Sequence, residues 1–241
     1  MAASQKLCCE VRRIVDHGDH VYTIELASDK LFPIFKPGQF LHLALDSYDP
    51  SEYWPDSRVF SIASPPNKRD CLSITYSVRG RFTARMEKEL TEEKKVWIKM
   101  PYGEFIVHAT NDVVLIAGGT GITAFTAFIA GLSESSLNNI FVAYGARTPD
   151  LLIYRNLIDH YANGVRRLKR WYFIEEGSID PFLVGQEIRG KLSLKEIWEQ
   201  IYDPFSSMYY LSGPPGMIKT LSCDLIDRDV NKDLIRIDAW E

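Results

Sequence analysis

The sequence predicts two domains of different texture: a small antiparallel β-barrel over residues 1–109, followed by a doubly wound, mostly parallel α/β domain over residues 110–241. Three observations predict this. Short apolar runs separated by turn signals fill the first hundred residues. From about Asn111 they give way to continuous apolar runs alternating with helical segments, the pattern of a sheet covered on both faces. The first of those runs ends in Gly118-Gly119-Thr120-Gly121, a loop type found where a strand turns into a helix.

In the barrel, Val21–Leu26, Phe40–Leu45, Val59–Ile62, Leu72–Val78 and Val96–Met100 alternate or cluster apolar residues and read as strands. His17-Gly18-Asp19, Lys36-Pro37-Gly38, Ser64-Pro65-Pro66-Asn67 and Pro101-Tyr102-Gly103 separate them. Several short strands at such spacing suit a barrel. One helix is expected at about Thr83–Leu90, with Thr83 as N-cap and Glu87 near its first turn.

In the second domain, Val113–Ala117 is the first strand and Ile122–Leu132 its helix. Ile140–Tyr144 follows, then a helix over Asp150–Ala162. Trp171–Ile174, Met208–Leu211 and Leu234–Ile237 supply further strands, with a helix over Met217–Arg228. The boundary between domains falls near His108–Asp112, and the chain carries neither an internal repeat nor a low-complexity tract.

With 46% hydrophobic and 25% charged residues, the chain is composed like a globular protein and can bury a sizeable core. Its 28 basic and 32 acidic residues give a net charge of −4, so nothing predisposes it to nucleic acid or an anionic membrane. The four cysteines (Cys8, Cys9, Cys71, Cys223) contain no CxxC pair and suit neither structural zinc nor an iron–sulfur cluster. Cys8-Cys9 reads as one exposed and one buried strand position. The histidines show no metal-ligand spacing, and no metal is expected. The start, MAASQKLCCEVRR, lacks an apolar leader core and no apolar run reaches membrane length, so the expectation is a reduced, cytoplasmic protein.

Three segments carry chemistry. Glycines at 118, 119 and 121 let the backbone approach a pyrophosphate closely; the plainer alternative is a tight strand–helix turn. In Arg58-Val59-Phe60-Ser61-Ile62-Ala63-Ser64, strand alternation sets Arg58 and Phe60 on one face, offering a guanidinium to a phosphate beside an aromatic ring for a planar ligand; the alternative is an exposed Arg next to a core Phe. In Tyr210-Leu211-Ser212-Gly213-Pro214-Pro215-Gly216-Met217, a strand ends on a hydroxyl and a rigid turn starts a helix, at the same sheet edge as the glycine loop.

Together and in this order, these motifs resemble the ferredoxin–NADP reductase superfamily, over nearly the whole chain. Pro37-Gly38-Gln39-Phe40 is similar to the family's PGQ(Y/F), and Arg58–Ser64 to its RxYSxxS flavin motif with Phe for Tyr. Gly80-Arg81-Phe82-Thr83 resembles the GxxS/T turn, and Gly118–Thr123 the GGxGIT loop. Tyr144-Gly145-Ala146-Arg147-Thr148, with Asp150 and Tyr154, resembles YGxRxxxDxxY, and Ser212–Met217 resembles CGPPxM with Ser for Cys. The resemblance implies a six-stranded flavin-binding barrel and a nucleotide-binding sheet domain. In it a hydride passes from NAD(P)H to FAD, and electrons then pass to a separate acceptor protein, a ferredoxin or an oxygenase component. Two alternatives stand: a free-flavin reductase, and a non-catalytic flavin- or nucleotide-sensing subunit. FAD is the family default, although some relatives carry FMN.

Carried over residue by residue, the resemblance implies that Arg58 binds flavin phosphate, Phe60 stacks beside the flavin ring and Ser61 hydrogen-bonds near its N5. Gly80 and Thr83 complete the pyrophosphate site. Gly118, Thr120, Gly121 and Thr123 receive the dinucleotide phosphates, and Gly213 to Met217 flank the nicotinamide. Val59, Arg81, Phe82, Gly119, Arg147 and Pro214 join the cofactor-contacting set. Ser61, Ser212 and Trp240 form the catalytic set, Trp240 either covering the flavin or closing the last strand. Where NADP-preferring relatives set a Ser-Arg pair, this chain has Glu175-Glu176, which would repel a 2′-phosphate and favours NADH, with Arg147 as the counterargument. The basic cluster Arg166-Arg167-Leu168-Lys169-Arg170 is expected before its strand, as a solvated face.

Overall fold

Alternating apolar residues give each early strand one face that must leave water, and six such strands share a single core. The computed structural model describes residues 4–134, 136–179 and 186–238. It divides into two units: residues up to Ile106 together with Thr123–Phe128, and Val107–Ile122 together with the chain from Ile129 onward.

In the first unit, β1 (Gln5–Asp16), β2 (Val21–Ala27), β3 (Phe40–Ala44), β4 (Ser57–Ser61), β5 (Cys71–Ser77) and β6 (Lys95–Tyr102) form one antiparallel sheet in the order β4-β3-β6-β1-β2-β5. Just beyond β4 the sheet curls back onto its far edge. The Ala63 N–H donates to the Ser73 carbonyl at 2.8 Å, and the Ser73 N–H to Ser64 Oγ at 3.2 Å. The core holds Leu7, Val11, Ile24, Leu41, Ile74 and Ile98. β1 is the strand the apolar pattern does not reveal. Its Lys6, Glu10, Arg12 and Arg13 are exposed around an inward Leu7-Cys9-Val11 stripe, and the register shifts between Val11 and Arg13.

Two turns of this unit are pinned by Gln39 and Gly38. Gln39 Oε1 accepts from the Lys36 N–H at 2.9 Å, and its Nε2 donates to the Gly103 carbonyl at 3.1 Å. Gly38 has φ +93°, and a Cβ there would lie 2.0 Å from the Phe105 carbonyl oxygen. The Pro-Gly-Gln-Phe segment is therefore a packing device that ties the start of β3 to the turn after β6.

The helix α1 (Arg81–Glu89) buries Phe82 and Met86. Its N-cap is Gly80, three residues earlier than the sequence suggests. Thr83 lies inside the first turn and reaches back, its Oγ1 accepting from the Arg79 N–H at 2.9 Å and the Gly80 N–H at 3.2 Å.

The second unit is a six-stranded parallel sheet of β7 (Val113–Gly118), β8 (Ile140–Ala146), β9 (Leu168–Ile174), β10 (Glu187–Arg189), β11 (Met208–Ser212) and β12 (Ile235–Asp238), ordered β10-β9-β8-β7-β11-β12. One face packs Val114, Ile116, Phe141 and Phe173 against Leu221 and Leu225 of α4 (Pro215–Asp227). On the other, Tyr172 Oη donates to Asp159 of α3 (Arg155–Gly164) at 2.8 Å. Both faces are covered, which is why β7 and β8 are buried at nearly every position. A 3₁₀ turn at Gly119–Ile122 precedes α2 (Thr123–Ile129), and another at Pro149–Leu151 precedes α3, so both helices begin later than the apolar pattern suggests.

β9 begins at Leu168, three residues before the expected start, and takes in half of the basic cluster. Arg170 pairs with Asp159 and is mostly buried, and the Lys169 ammonium lies 4.2 Å from the Tyr202 ring centroid. Arg166 and Arg167 precede the strand and are exposed, as expected, whereas the β9 cations Lys169 and Arg170 are bound to an aromatic ring and to α3.

Candidate functional site

Strand order reverses at β7, with β8 on one side and β11 on the other, so a crevice opens outside the carboxyl ends of β7 and β11. Register sets Ser212 beside Ala117, bringing the loop after β11 against the loop after β7. Contact there is backbone to backbone. A Cβ on Gly121 would stand 2.5 Å from the Ser212 carbonyl oxygen; one on Gly118 would stand 2.6 Å from Met217 Sδ and 2.9 Å from Pro214 Cδ. Gly213, at φ +147°, lies against the Gly118 N–H. The glycines at 118, 121 and 213 are therefore more than turn formers. They let two loops close into one surface, with Met217 filling the space beneath.

At the end of β11, Ser212 Oγ donates to Asp238 Oδ2 at 2.9 Å, across the register pair that joins β11 to β12. Both residues are buried, and Asp238 is 5% exposed. Among the described residues, Asp238 Oδ1 is buried with no hydrogen-bond partner. Burial pushes the Asp238 carboxyl up to about 7, against the opposing pull of the Ser212 hydrogen bond. Sequence reasoning missed Asp238. The signal available was one carboxylate where the Leu-Ile-Arg-Ile run meets the sheet edge. Trp240, expected nearby, falls outside the described residues.

Farther along the same edge, the tips after β8 and β9 run side by side. The Glu175 N–H donates to the Ala146 carbonyl at 3.2 Å and the Glu176 N–H to the Arg147 carbonyl at 2.7 Å. Arg147, Glu175 and Glu176 are all exposed there. The guanidinium and the carboxylates are consequently neighbours on one rim. Asp150 and Tyr154 follow at the 3₁₀ turn and the start of α3. Thr120 lies in the turn after β7, and Thr123 opens α2 and is buried.

In the first unit, β4 sets Arg58 and Phe60 on one face, as alternation requires. The Arg58 guanidinium lies 5.4 Å from the Phe82 ring centroid and donates to Asp56 Oδ1 at 3.1 Å and to the Ser57 carbonyl at 2.9 Å. Phe60 packs against the barrel core edge-on to Tyr76, 6.1 Å between centroids, and Tyr76 stacks on Tyr22. Phe60 is only half-buried, as are Val59 and Ser61. Phe82 has its ring in the core, so only its backbone can meet a ligand. The first N–H groups of α1 have no acceptor within the helix. Arg79 and Arg81 flank that end, Arg79 Nε donating to Ser77 Oγ at 3.2 Å. The amino end of α1 beneath Arg58 is suited to an anion.

Among the described residues no group of three His, Cys, Asp or Glu side chains could hold a metal ion, and no helix is long and apolar enough to cross a membrane. Cys8 and Cys9 alternate as expected, Cys9 buried and Cys8 partly exposed; burial pushes the Cys9 thiol far up, so it is no nucleophile.

Residues 115–222 match the model of the oxidoreductase NAD-binding domain family. The chain is 31% identical over 215 residues to the reductase component DmpP of phenol 2-monooxygenase from Pseudomonas sp. strain CF600, covering 86% of this chain and 58% of that protein. It therefore spans little more than half the length of that relative. Among solved structures, the Amycolatopsis cytochrome P450 reductase GcoB superimposes with a TM-score of 0.83 at 18% identity, covering 99% of this chain and 70% of that one. The flavohem-like FAD/NAD binding domain of Vibrio cholerae nitric oxide dioxygenase superimposes with a TM-score of 0.80 at 17% identity, covering 97% and 98%. These structural likenesses concern the fold, and they match the antiparallel barrel and parallel sheet described above. Residues 115–222, which carry the switch point, are thus similar to the oxidoreductase NAD-binding domain family, within a fold shared with these reductase structures.

Proposed function

We propose that this chain is a flavoprotein reductase that takes a hydride from NAD(P)H onto FAD and passes electrons to a separate acceptor, a ferredoxin or an oxygenase component. The observation that carries the reading is the meeting of Gly118, Gly121 and Gly213 at the carboxyl ends of β7 and β11. Two loops in backbone contact there, free of Cβ atoms, offer N–H groups to a pyrophosphate. The name of the phenol 2-monooxygenase reductase component supports the acceptor class, and the V. cholerae domain, described as binding FAD and NAD, supports the cofactor pair.

Bound flavin supplies the chemistry, accepting two electrons with a hydride and releasing them singly or in pairs. The protein's part is positioning. Arg58 and the amino end of α1 hold the flavin phosphates through the backbone of Gly80, Arg81 and Phe82, and Thr83 fixes that turn. Phe60 would stack on or beside the flavin ring, and Ser61 would hydrogen-bond near its N5. Gly118 to Gly121 and Thr123 take the dinucleotide phosphates, while Gly213, Pro214 and Met217 flank the nicotinamide beside Ser212. Glu175 and Glu176 accept from ribose hydroxyls, which favours NADH over NADPH. The flavin-binding part runs to about residue 109 and the nucleotide-binding part from 110, in a cytoplasmic protein.

The test is the visible spectrum of the purified protein, titrated anaerobically with NADH and, separately, NADPH. A bound flavin band that bleaches with nucleotide is the expected result. Bound flavin that neither nucleotide reduces makes the chain a sensor. A colourless protein that reduces added flavin makes it a free-flavin reductase.

A further inference from the structure

Asp238 stands out among the buried ionisable groups because nothing structural accounts for half of it. A carboxyl serving only to hold Ser212 would satisfy both oxygens, as buried polar groups generally do. Here Oδ2 accepts from Ser212 Oγ at 2.9 Å, and Oδ1 is buried without a partner among the described residues. The pair lies at the carboxyl ends of β11 and β12, one strand from the switch point.

Among the described residues no ion pair reaches Asp238, and burial and the Ser212 hydrogen bond are what act on its carboxyl. On β11, the strand β12 pairs with, the residue opposite Asp238 is Ser212. Arg236, two positions back on β12, is exposed and donates to the Ile235 carbonyl at 3.4 Å. The nearby start of α4 contributes no acidic residue in its first turn, and its Lys219 is exposed. Burial therefore sets the carboxyl's behaviour: it titrates near neutrality, at about 7, instead of near 4.

We propose that Asp238 makes the nicotinamide subsite charge-selective, holding the cationic oxidised ring in preference to the neutral reduced ring and releasing a proton when the cationic ring binds. This rests on the reading of Gly213 to Met217 as the nicotinamide pocket. A cation brought near a buried carboxyl favours its charged form. By reciprocity, the charged form raises affinity for the cation and does nothing comparable for a neutral ring. Product would thus be held more tightly as pH rises through 7.

The experiment is calorimetric titration of the flavin-loaded protein with NAD⁺ and with 1,4,5,6-tetrahydro-NAD, whose neutral ring cannot give up hydride. Each titration is run in two buffers of different ionisation heat. For a drop of about one pKa unit on binding, NAD⁺ should release about half a proton at pH 6.5, and its affinity should rise by about tenfold between pH 5 and pH 8. The tetrahydro analogue should do neither. Asp238→Asn should abolish the release. Ser212→Ala, which keeps the carboxyl but removes the hydrogen bond that lowers its pKa, should move the release to higher pH. Equal proton release for both nucleotides, or release that survives Asp238→Asn, would overturn the inference while leaving the nucleotide site intact. Absence of binding by either nucleotide would overturn the reading of the site itself.

Discussion

The Cβ that Gly121 lacks would stand 2.5 Å from the Ser212 carbonyl oxygen, a backbone atom that cannot swing aside. Gly121→Ala must therefore separate the two switch-point loops. We expect a loss of about 1–3 kcal/mol of stability and a fall of more than tenfold in nucleotide affinity. Thermal melting and NADH titration read both. Gly164, at the end of α3, where an added Cβ meets nothing within 4 Å, is the control, and Gly164→Ala should leave both unchanged.

Arg58 sits over Phe82 at the amino end of α1, tied only to exposed groups. Arg58→Ala removes the guanidinium and no core packing, so the melting temperature should move by less than about 2 °C. Flavin content after gel filtration should fall severalfold. Full retention of flavin would remove Arg58 from the phosphate site.

Glu175 and Glu176 share a rim with Arg147. Replacing them by Glu175→Ser and Glu176→Arg removes two like charges from any 2′-phosphate and adds a cation. The ratio of kcat/KM for NADPH over NADH should rise by at least tenfold, which steady-state rates with both nucleotides test directly. An unchanged ratio would withdraw the NADH preference.

The Asp238 carboxyl is favoured protonated in the folded protein, at about 7 against an ordinary value of 3.8. Between those values the folded state binds the extra proton, so this group's contribution to stability is greatest below pH 4 and falls as pH rises to 7, by about 1.4 kcal/mol per pH unit. Other carboxylates act in the opposite sense, so the variant is measured against the parent. From pH 4.5 to 7.5, urea unfolding should show Asp238→Asn gaining roughly 3 kcal/mol relative to the parent. A difference independent of pH would show that the carboxyl is not held protonated.

How far the sequence reveals the molecule depends on the scale of the interaction. β7, β8 and β11 were legible because strands covered on both faces need continuous apolar runs, and those runs end on the residues that form the crevice. β1 was not, because its outward Lys and Arg positions and the register shift at Val11 mask an inward stripe of three residues. β10 has three residues, too few for any pattern. Residue type marks Thr83 as an N-cap, yet its hydroxyl caps from one turn inside, a choice set by where Gly80 lies. Ser212 was visible as a departure at a motif position. Its partner was not, because only strand pairing joins residue 212 to residue 238.

The central place of β7 has a consequence for synthesis. Its flank on β8 can form early, but its other flank must wait for β11, and 91 residues, 122 to 212, are added after Gly121 before Ser212 is in place. At ordinary translation rates that is roughly 5–20 s. Throughout that interval the nascent chain carries a fully apolar strand with one open edge, the geometry most apt to pair with the wrong neighbour. Slower elongation over residues 122–212 lengthens the exposure of that edge.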